Sequence, residues 1–239
     1  MAPPLLAARG LSKRFGAVTA LRAAAFSVHA GEILGLIGPN GSGKTTLFQC
    51  VAGTMPADSG IVSVNGEPID IERRKSALFY MPDGIRPWPD QPVNWALRFM
   101  SALSAAHSNE RDEVINALGI DHLLGSRMGE LSKGEHKRAL LAIGLLSSQP
   151  VLMLDEPFDG LDLRQTRDAM DVLRRHASAG RTLFLSIHQL ADAARICDRF
   201  VLLSAGRTVG EGTLAELRAG VGIGDTSDAP LEEVFLALT

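Results

Sequence analysis

The sequence predicts an α/β fold in which a parallel sheet flanked by helices carries an antiparallel β layer and an inserted α-helical segment. Three observations lead to this. Glu32-Ile33-Leu34-Gly35-Leu36-Ile37 is an apolar run bounded by glycines, and it leads through a glycine-rich turn into the helically spaced Thr46-Leu47-Phe48-Gln49-Cys50-Val51-Ala52. Val151-Leu152-Met153-Leu154 and Thr182-Leu183-Phe184-Leu185-Ser186 are further apolar runs of strand length, followed by helical patterns after Leu163 and Gln189. Between Pro92 and about Ser148 the apolar residues recur at helical spacing instead, through Trp95, Leu97, Phe99, Met100 and Leu103, then Val114, Ile115 and Leu118, then Leu140, Leu141 and Leu145.

In chain order, Leu5 to Arg9 and Ala25 to His29 read as short strands ahead of the Ala30-Gly31 turn. After the first helix, Gly53 and Pro56-Ala57-Asp58-Ser59-Gly60 break the chain. Ile61 to Val64 is a strand, and Asn65-Gly66 is a hairpin turn. Ala77 to Met81 is a strand ended by Pro82, and Phe200 to Ser204 and Arg207 to Val209 pair before a short helical tail. The expected division is a core with its antiparallel layer over about 1–83 and 150–239, and a helical subdomain over about 84–149, within a single domain 1–239.

The 239 residues, 46% hydrophobic, suffice for a sizeable core. A net charge of −3 and no run of Lys or Arg exclude an electrostatic footprint for nucleic acid or a polybasic membrane anchor. Cys50 and Cys197 lie far apart in apolar helical patterns and read as small core residues. The start, Met1 to Arg9, lacks a basic region ahead of a long apolar stretch, and no run reaches the length of a membrane span, so an intracellular, reducing location is expected.

Gly38-Pro39-Asn40-Gly41-Ser42-Gly43-Lys44-Thr45-Thr46 has residue types suited to phosphate. Its glycines let successive backbone N–H groups turn toward the phosphates of a nucleotide, where the following helix N-terminus adds partial positive charge. Lys44 can reach between the β- and γ-phosphates, and the Thr45 hydroxyl can ligate Mg²⁺. Val151 to Leu154 runs into Asp155-Glu156, which a buried strand would place at the carboxyl edge of the sheet. Asp155 is then positioned to hold Mg²⁺ through water and Glu156 to orient or deprotonate an attacking water. Acidic residues at that point also suit the dipole of a following helix.

Glu130-Leu131-Ser132-Lys133-Gly134-Glu135, upstream of Leu154-Asp155-Glu156-Pro157, resembles the LSGGQ signature of ATP-binding cassette (ABC) ATPases. The same residues also form an S-x-x-E capping box. With the phosphate loop and Ser186-Ile187-His188-Gln189-Leu190 in family order and spacing, the resemblance covers essentially the whole chain. It implies a P-loop NTPase core with mixed sheet, an antiparallel β subdomain and an inserted helical subdomain carrying the signature. It further implies ATP and Mg²⁺ as cofactors, and a second cassette whose Lys44-bound γ-phosphate meets Ser132 and Gly134. His188 is implied to bond the γ-phosphate and position the carboxylate and water. Asp162, in Gly160-Leu161-Asp162, belongs to the loop that crosses the dimer interface. Phe15, in Lys13-Arg14-Phe15-Gly16, is implied to stack on adenine, with a core Phe as the alternative.

Three residues depart from the pattern. Asp83 stands after Tyr80-Met81-Pro82 where the family presents a glutamine to Mg²⁺, and, being shorter and charged, it is expected either to bind the metal or to fall short of it, while Lys133 and Glu135 replace a Gly and a Gln of the signature. The segment Gly84 to Pro92 is where the family docks the helices of a transmembrane permease, with Trp88 as the expected exposed anchor and Trp95 as partner contact or core. The tail Leu231 to Thr239 and Tyr80-Met81-Pro82 resemble cassettes of ABC-2-type exporters, whereas Phe15-Gly16-Ala17-Val18-Thr19-Ala20-Leu21 resembles amino-acid importers. The expected function is ATP hydrolysis powering a membrane transporter from the cytoplasmic face; a soluble assembly ATPase is the alternative.

Overall fold

The computed structural model describes residues 3–104, 108–222 and 231–238; Met1, Ala2, positions 105–107 of the helical stretch, positions 223–230 and Thr239 of the tail lie outside the described residues. Two sheets organise the chain. The first is antiparallel, in the order β2 (Val18–Val28), β1 (Leu6–Phe15), β4 (Ser59–Val64), β5 (Glu67–Pro68). The second has six strands in the order β10 (Arg207–Gly212), β9 (Arg199–Ser204), β3 (Ile33–Ile37), β8 (Thr182–Ile187), β7 (Val151–Asp155), β6 (Leu78–Met81). All its neighbours pair in parallel except β10 with β9.

β3, β7 and β8 are buried along their whole length, as expected for central strands covered on both faces. The helix α1 (Lys44–Ala52) packs between the sheets. There the Phe48 ring lies 4.7 Å from Phe184 and 6.0 Å, edge-on, from Tyr80, while Phe26 lies 4.8 Å from Phe184. On the other face, α2 (Val93–Ser104), α3 (Ser108–Ala117) and α4 (Lys133–Leu145) fall between β6 and β7 in the chain. They share one apolar cluster with α5 (Leu163–Ser178), α6 (Leu190–Ile196) and the sheet. Cys50 and Cys197 are buried free thiols, and burial pushes both above the ordinary thiol range. Two further helices, α7 (Leu214–Gly220) and α8 (Leu231–Leu238), form the tail.

The first two strands are longer than the sequence pattern indicates. β1 extends to Phe15 and β2 begins at Val18, because the pair bends through register shifts between Ala8 and Leu11 and again before Arg14. Gly10 at φ +65 and Ala23 at φ +54 mark the distortion. Each irregularity flips the side-chain alternation, so a continuous strand reads in sequence as shorter pieces.

Candidate active site

The carboxyl ends of β3, β8, β7 and β6, adjacent in the sheet, deliver the phosphate loop, His188, Asp155-Glu156 and Asp83 to one edge. Brought together there are Lys44, Glu156 and His188. The Glu156 carboxylate lies 3.9 Å from Lys44 Nζ through Oε1 and 2.5 Å from His188 Nδ1 through Oε2. Lys44 Nζ also donates to the Gly38 carbonyl at 2.8 Å and to that of Pro39 at 3.5 Å. The buried ammonium is therefore folded back over its own loop, held by carbonyls and one carboxylate.

The loop backbone is shaped by its glycines. Gly43 adopts φ +106 as the N-cap of α1 and makes no side-chain cap bond, leaving that helix terminus free for an anion. At Gly38 the constraint is space: a Cβ would sit 2.3 Å from the Leu203 carbonyl oxygen and 2.5 Å from Ser42 Oγ. Gly38→Ala should destabilise the fold by about 1–3 kcal/mol, lowering Tm by several degrees. A circular dichroism melt checks this, and an unchanged Tm would show that the loop yields freely. Pro39, Asn40, Gly41 and Thr45 are exposed around the loop, while Thr46 is half-buried at the start of α1.

Asp155 fits a cation. It is 3% exposed, and neither carboxylate oxygen has a hydrogen-bond partner; Ser42 Oγ, the Tyr80 hydroxyl and Ser186 Oγ are likewise buried and unpartnered. Burying unpaired carboxylate oxygens is costly, so this group of orphaned oxygens suits an ion with its water shell. Burial, then the neighbouring Asp155 carboxylate, pushes the Tyr80 hydroxyl well above its ordinary pKa. Among the described residues no three His, Cys, Asp or Glu side chains converge as a metal group. A cation here would be held by Asp155, the Thr45 hydroxyl and ligand phosphates, the pattern of Mg²⁺ rather than of an all-protein cage.

Other expected site residues lie apart from this cluster. Asp83 accepts a 2.8 Å hydrogen bond from Lys137 Nζ of α4. Ser132 caps α4 in a reciprocal box: Glu135 N donates to Ser132 Oγ at 3.4 Å, and Ser132 N donates to Glu135 Oε2 at 2.9 Å. The Ser132 hydroxyl also donates to Glu135 Oε2 at 2.6 Å, and this bond, then that from Ser132 N, holds the Glu135 carboxyl below its usual range. Gly134 lies in the first turn of α4, packed so that a Cβ would meet the Gly160 carbonyl oxygen at 2.9 Å. Asp162 caps α5, accepting from Gln165 N at 2.8 Å. Phe15, at the end of β1, exposes its ring, with Lys13 Nζ 5.7 Å from the centroid.

The tryptophans exchange the roles expected of them. Trp88 is half-buried and packs edge-on against Trp95 at 5.7 Å and Phe99 at 5.4 Å. Trp95 and Phe99, stacked in parallel at 5.3 Å, are the exposed pair. They lie one turn apart on α2, so its outward stripe presents both rings. Two lysines went unnoticed in the sequence, Lys133 as a partner of Asp159 at 2.7 Å and Lys137 as the partner of Asp83. The available clue for Lys137 was a charged residue on the core-facing side of the predicted helix, which requires a counter-charge.

A parallel sheet with a lysine-bearing glycine loop at the end of β3 and Asp-Glu at the end of β7, with β8 between them, defines a phosphate-loop NTPase. The family model for the ABC transporter matches residues 21–159. The chain belongs to that family and is an ATP-binding, ATP-hydrolysing cassette. It is 32% identical over 218 residues to an uncharacterized ABC transporter ATP-binding protein of Methanocaldococcus jannaschii, covering 90% of this chain and 79% of the relative. It is 33% identical to the Nod factor export ATP-binding protein I of Burkholderia lata, covering 85% and 69% of the two chains. To the lipopolysaccharide export system ATP-binding protein LptB of Escherichia coli it is 28% identical, covering 89% and 92%. A solved ATP-binding subunit of an ABC transporter superposes with a TM-score of 0.87 at 28% identity, over 98% of this chain and 99% of that one. Among the described residues no helix is long and apolar enough to cross a membrane.

Proposed function

We propose that this chain is the motor subunit of an ABC-2-type exporter, two copies closing on two ATP molecules and reopening after hydrolysis. The observation that carries the reading is the Glu156 carboxylate, bracketed by His188 and Lys44 beside the phosphate loop. The loop from Gly38 to Thr46 cradles the phosphates, and Lys44 turns from its own carbonyls to the β- and γ-phosphate oxygens. Glu156 takes a proton from the attacking water, while His188 holds Glu156 by Oε2 and meets the γ-phosphate. Thr45 and Asp155 would hold Mg²⁺, which would supply neutralisation of the developing phosphate charge.

The capped start of α4 leaves backbone N–H groups for the γ-phosphate of the partner cassette, with Ser132 and Gly134 at that surface and Asp162 on the loop beside it. Phe15 offers a π-face to adenine. In this reading 1–83 and 150–239 form the nucleotide core, 84–149 the signature-bearing lobe, and the Trp88–Trp95–Phe99 face docks a transmembrane permease from the cytoplasmic side. The relatives named for export of Nod factor and lipopolysaccharide support the direction of transport. Affinity recovery of the tagged chain from solubilised membranes tests the reading: a membrane-spanning partner should co-purify only when detergent is present. A stable complex recovered without detergent, and with no spanning partner, overturns transport in favour of a soluble assembly role.

A further inference from the structure

We infer that Lys137 is a positioning residue for ATP hydrolysis: its ammonium, balanced by Asp83, holds the Glu156 peptide so that the carboxylate faces the nucleotide. Glu156 has φ +49, a left-handed conformation that an L side chain adopts at a cost and keeps only when its surroundings over-determine it. The surroundings here are identifiable. Glu156 N donates to Ser186 O at 3.0 Å, and the Glu156 carbonyl accepts from Asp159 N at 3.2 Å and from Lys137 Nζ at 2.8 Å. The last is a charge-assisted bond and the strongest of the three. Relaxing φ to the negative side would swing the carboxylate off His188 and Lys44, so whatever pins this peptide also aims the base.

Lys137 explains the aspartate at position 83. The lysine is 8% exposed on the inward side of α4, where an uncompensated ammonium would be costly. Asp83 supplies the counter-charge at 2.8 Å through a side chain that is itself 44% exposed. A neutral amide could accept a bond from the ammonium but would leave its charge unbalanced. Asp83 therefore acts through Lys137 rather than at the metal, and the pair ties the loop after β6 to α4 and to the loop after β7. One turn earlier on the same helix, Lys133 clasps Asp159, so two lysines of α4 hold the segment 156–159.

This inference rests on Glu156 being the base, and the experiment separates the two claims. Steady-state ATPase rates, KM for ATP and melting temperatures are measured on the full chain for Lys137→Met, Lys137→Arg, Asp83→Asn/Lys137→Met and Glu156→Gln. Misplacing a catalytic group by about 1 Å costs on the order of 100-fold, so Lys137→Met should lower kcat about 10- to 100-fold with KM within about threefold. Lys137→Arg, which keeps the donor and the charge, should recover part of the loss. The double variant removes both charges and so leaves none unpaired; it should melt near the wild type yet turn over as slowly as Lys137→Met. A double variant with wild-type kcat would reduce the pair to a structural ion pair, and Lys137→Met within twofold of wild type would overturn the inference directly. If Glu156→Gln is inactive while the Lys137 variants are fully active, only this inference falls. If Glu156→Gln keeps turnover, both fall.

Discussion

Glu156→Gln is expected to lower kcat for ATP hydrolysis by about 100- to 1,000-fold while leaving ATP affinity within a few-fold of wild type. The carboxylate stands 2.5 Å from His188 Nδ1 and 3.9 Å from Lys44 Nζ, and it makes no bond to the loop backbone that cradles phosphate. Glutamine preserves the volume and one oxygen for His188, so packing survives. An amide cannot accept a proton from water, so the chemical step does not. Cassettes that bind ATP but cannot hydrolyse it should accumulate as closed pairs, visible as a doubled mass in size-exclusion chromatography with ATP and Mg²⁺. Turnover within twofold of wild type would mean that another group is the base.

Lys44→Met should show the complementary pattern, losing both binding and turnover. In the structure the ammonium is satisfied by the Gly38 carbonyl at 2.8 Å, by that of Pro39 at 3.5 Å and by the Glu156 carboxylate. These groups hold the lysine folded back over its loop, and phosphate oxygens replace them as charge-assisted partners when ATP binds. A hydrogen bond to a charged group is worth about 1.5–3 kcal/mol, so ATP affinity should fall about 10- to 100-fold, and kcat should fall as well. Methionine fills similar volume in this 7% exposed position, so the melting temperature should change little. Isothermal titration with a non-hydrolysable ATP analogue checks the binding loss; affinity within threefold of wild type would show that Lys44 does not reach the phosphates.

The two variants together distinguish a base from a phosphate ligand, a distinction that proximity alone leaves unmade. Lys44 and Glu156 form an ion pair at 3.9 Å, yet one is expected to act on binding and chemistry and the other on chemistry alone.

The phosphate loop and the Asp155-Glu156 strand end were legible in the sequence because their chemistry is local. A glycine-rich turn, an apolar run of strand length and a capped helix are written in consecutive residues, and parallel pairing of β3, β8 and β7 then places their ends side by side. The lengths of β1 and β2 were not legible, since bulges interrupt the alternation that sequence reading depends on. Nor were the roles of the tryptophans: Trp88 turns inward through a backbone at φ +48, and α2 carries Trp95 outward. Both rings suit either environment, so composition leaves the choice open.

Asp83 marks the boundary between the two kinds of information. By itself the sequence determined an α/β nucleotide-binding chain with a lysine, a threonine, two carboxylates and a histidine at strand ends, because each sits in a short segment whose conformation its own residues dictate. The tertiary structure alone decided what Asp83 faces, since its partner lies 54 positions along the chain on a different element. Such pairing depends on how α4 docks against the edge of the sheet. Docking of that kind is set by the sum of many apolar contacts across Leu140, Leu152, Leu97 and their neighbours, and no single residue along the chain encodes it.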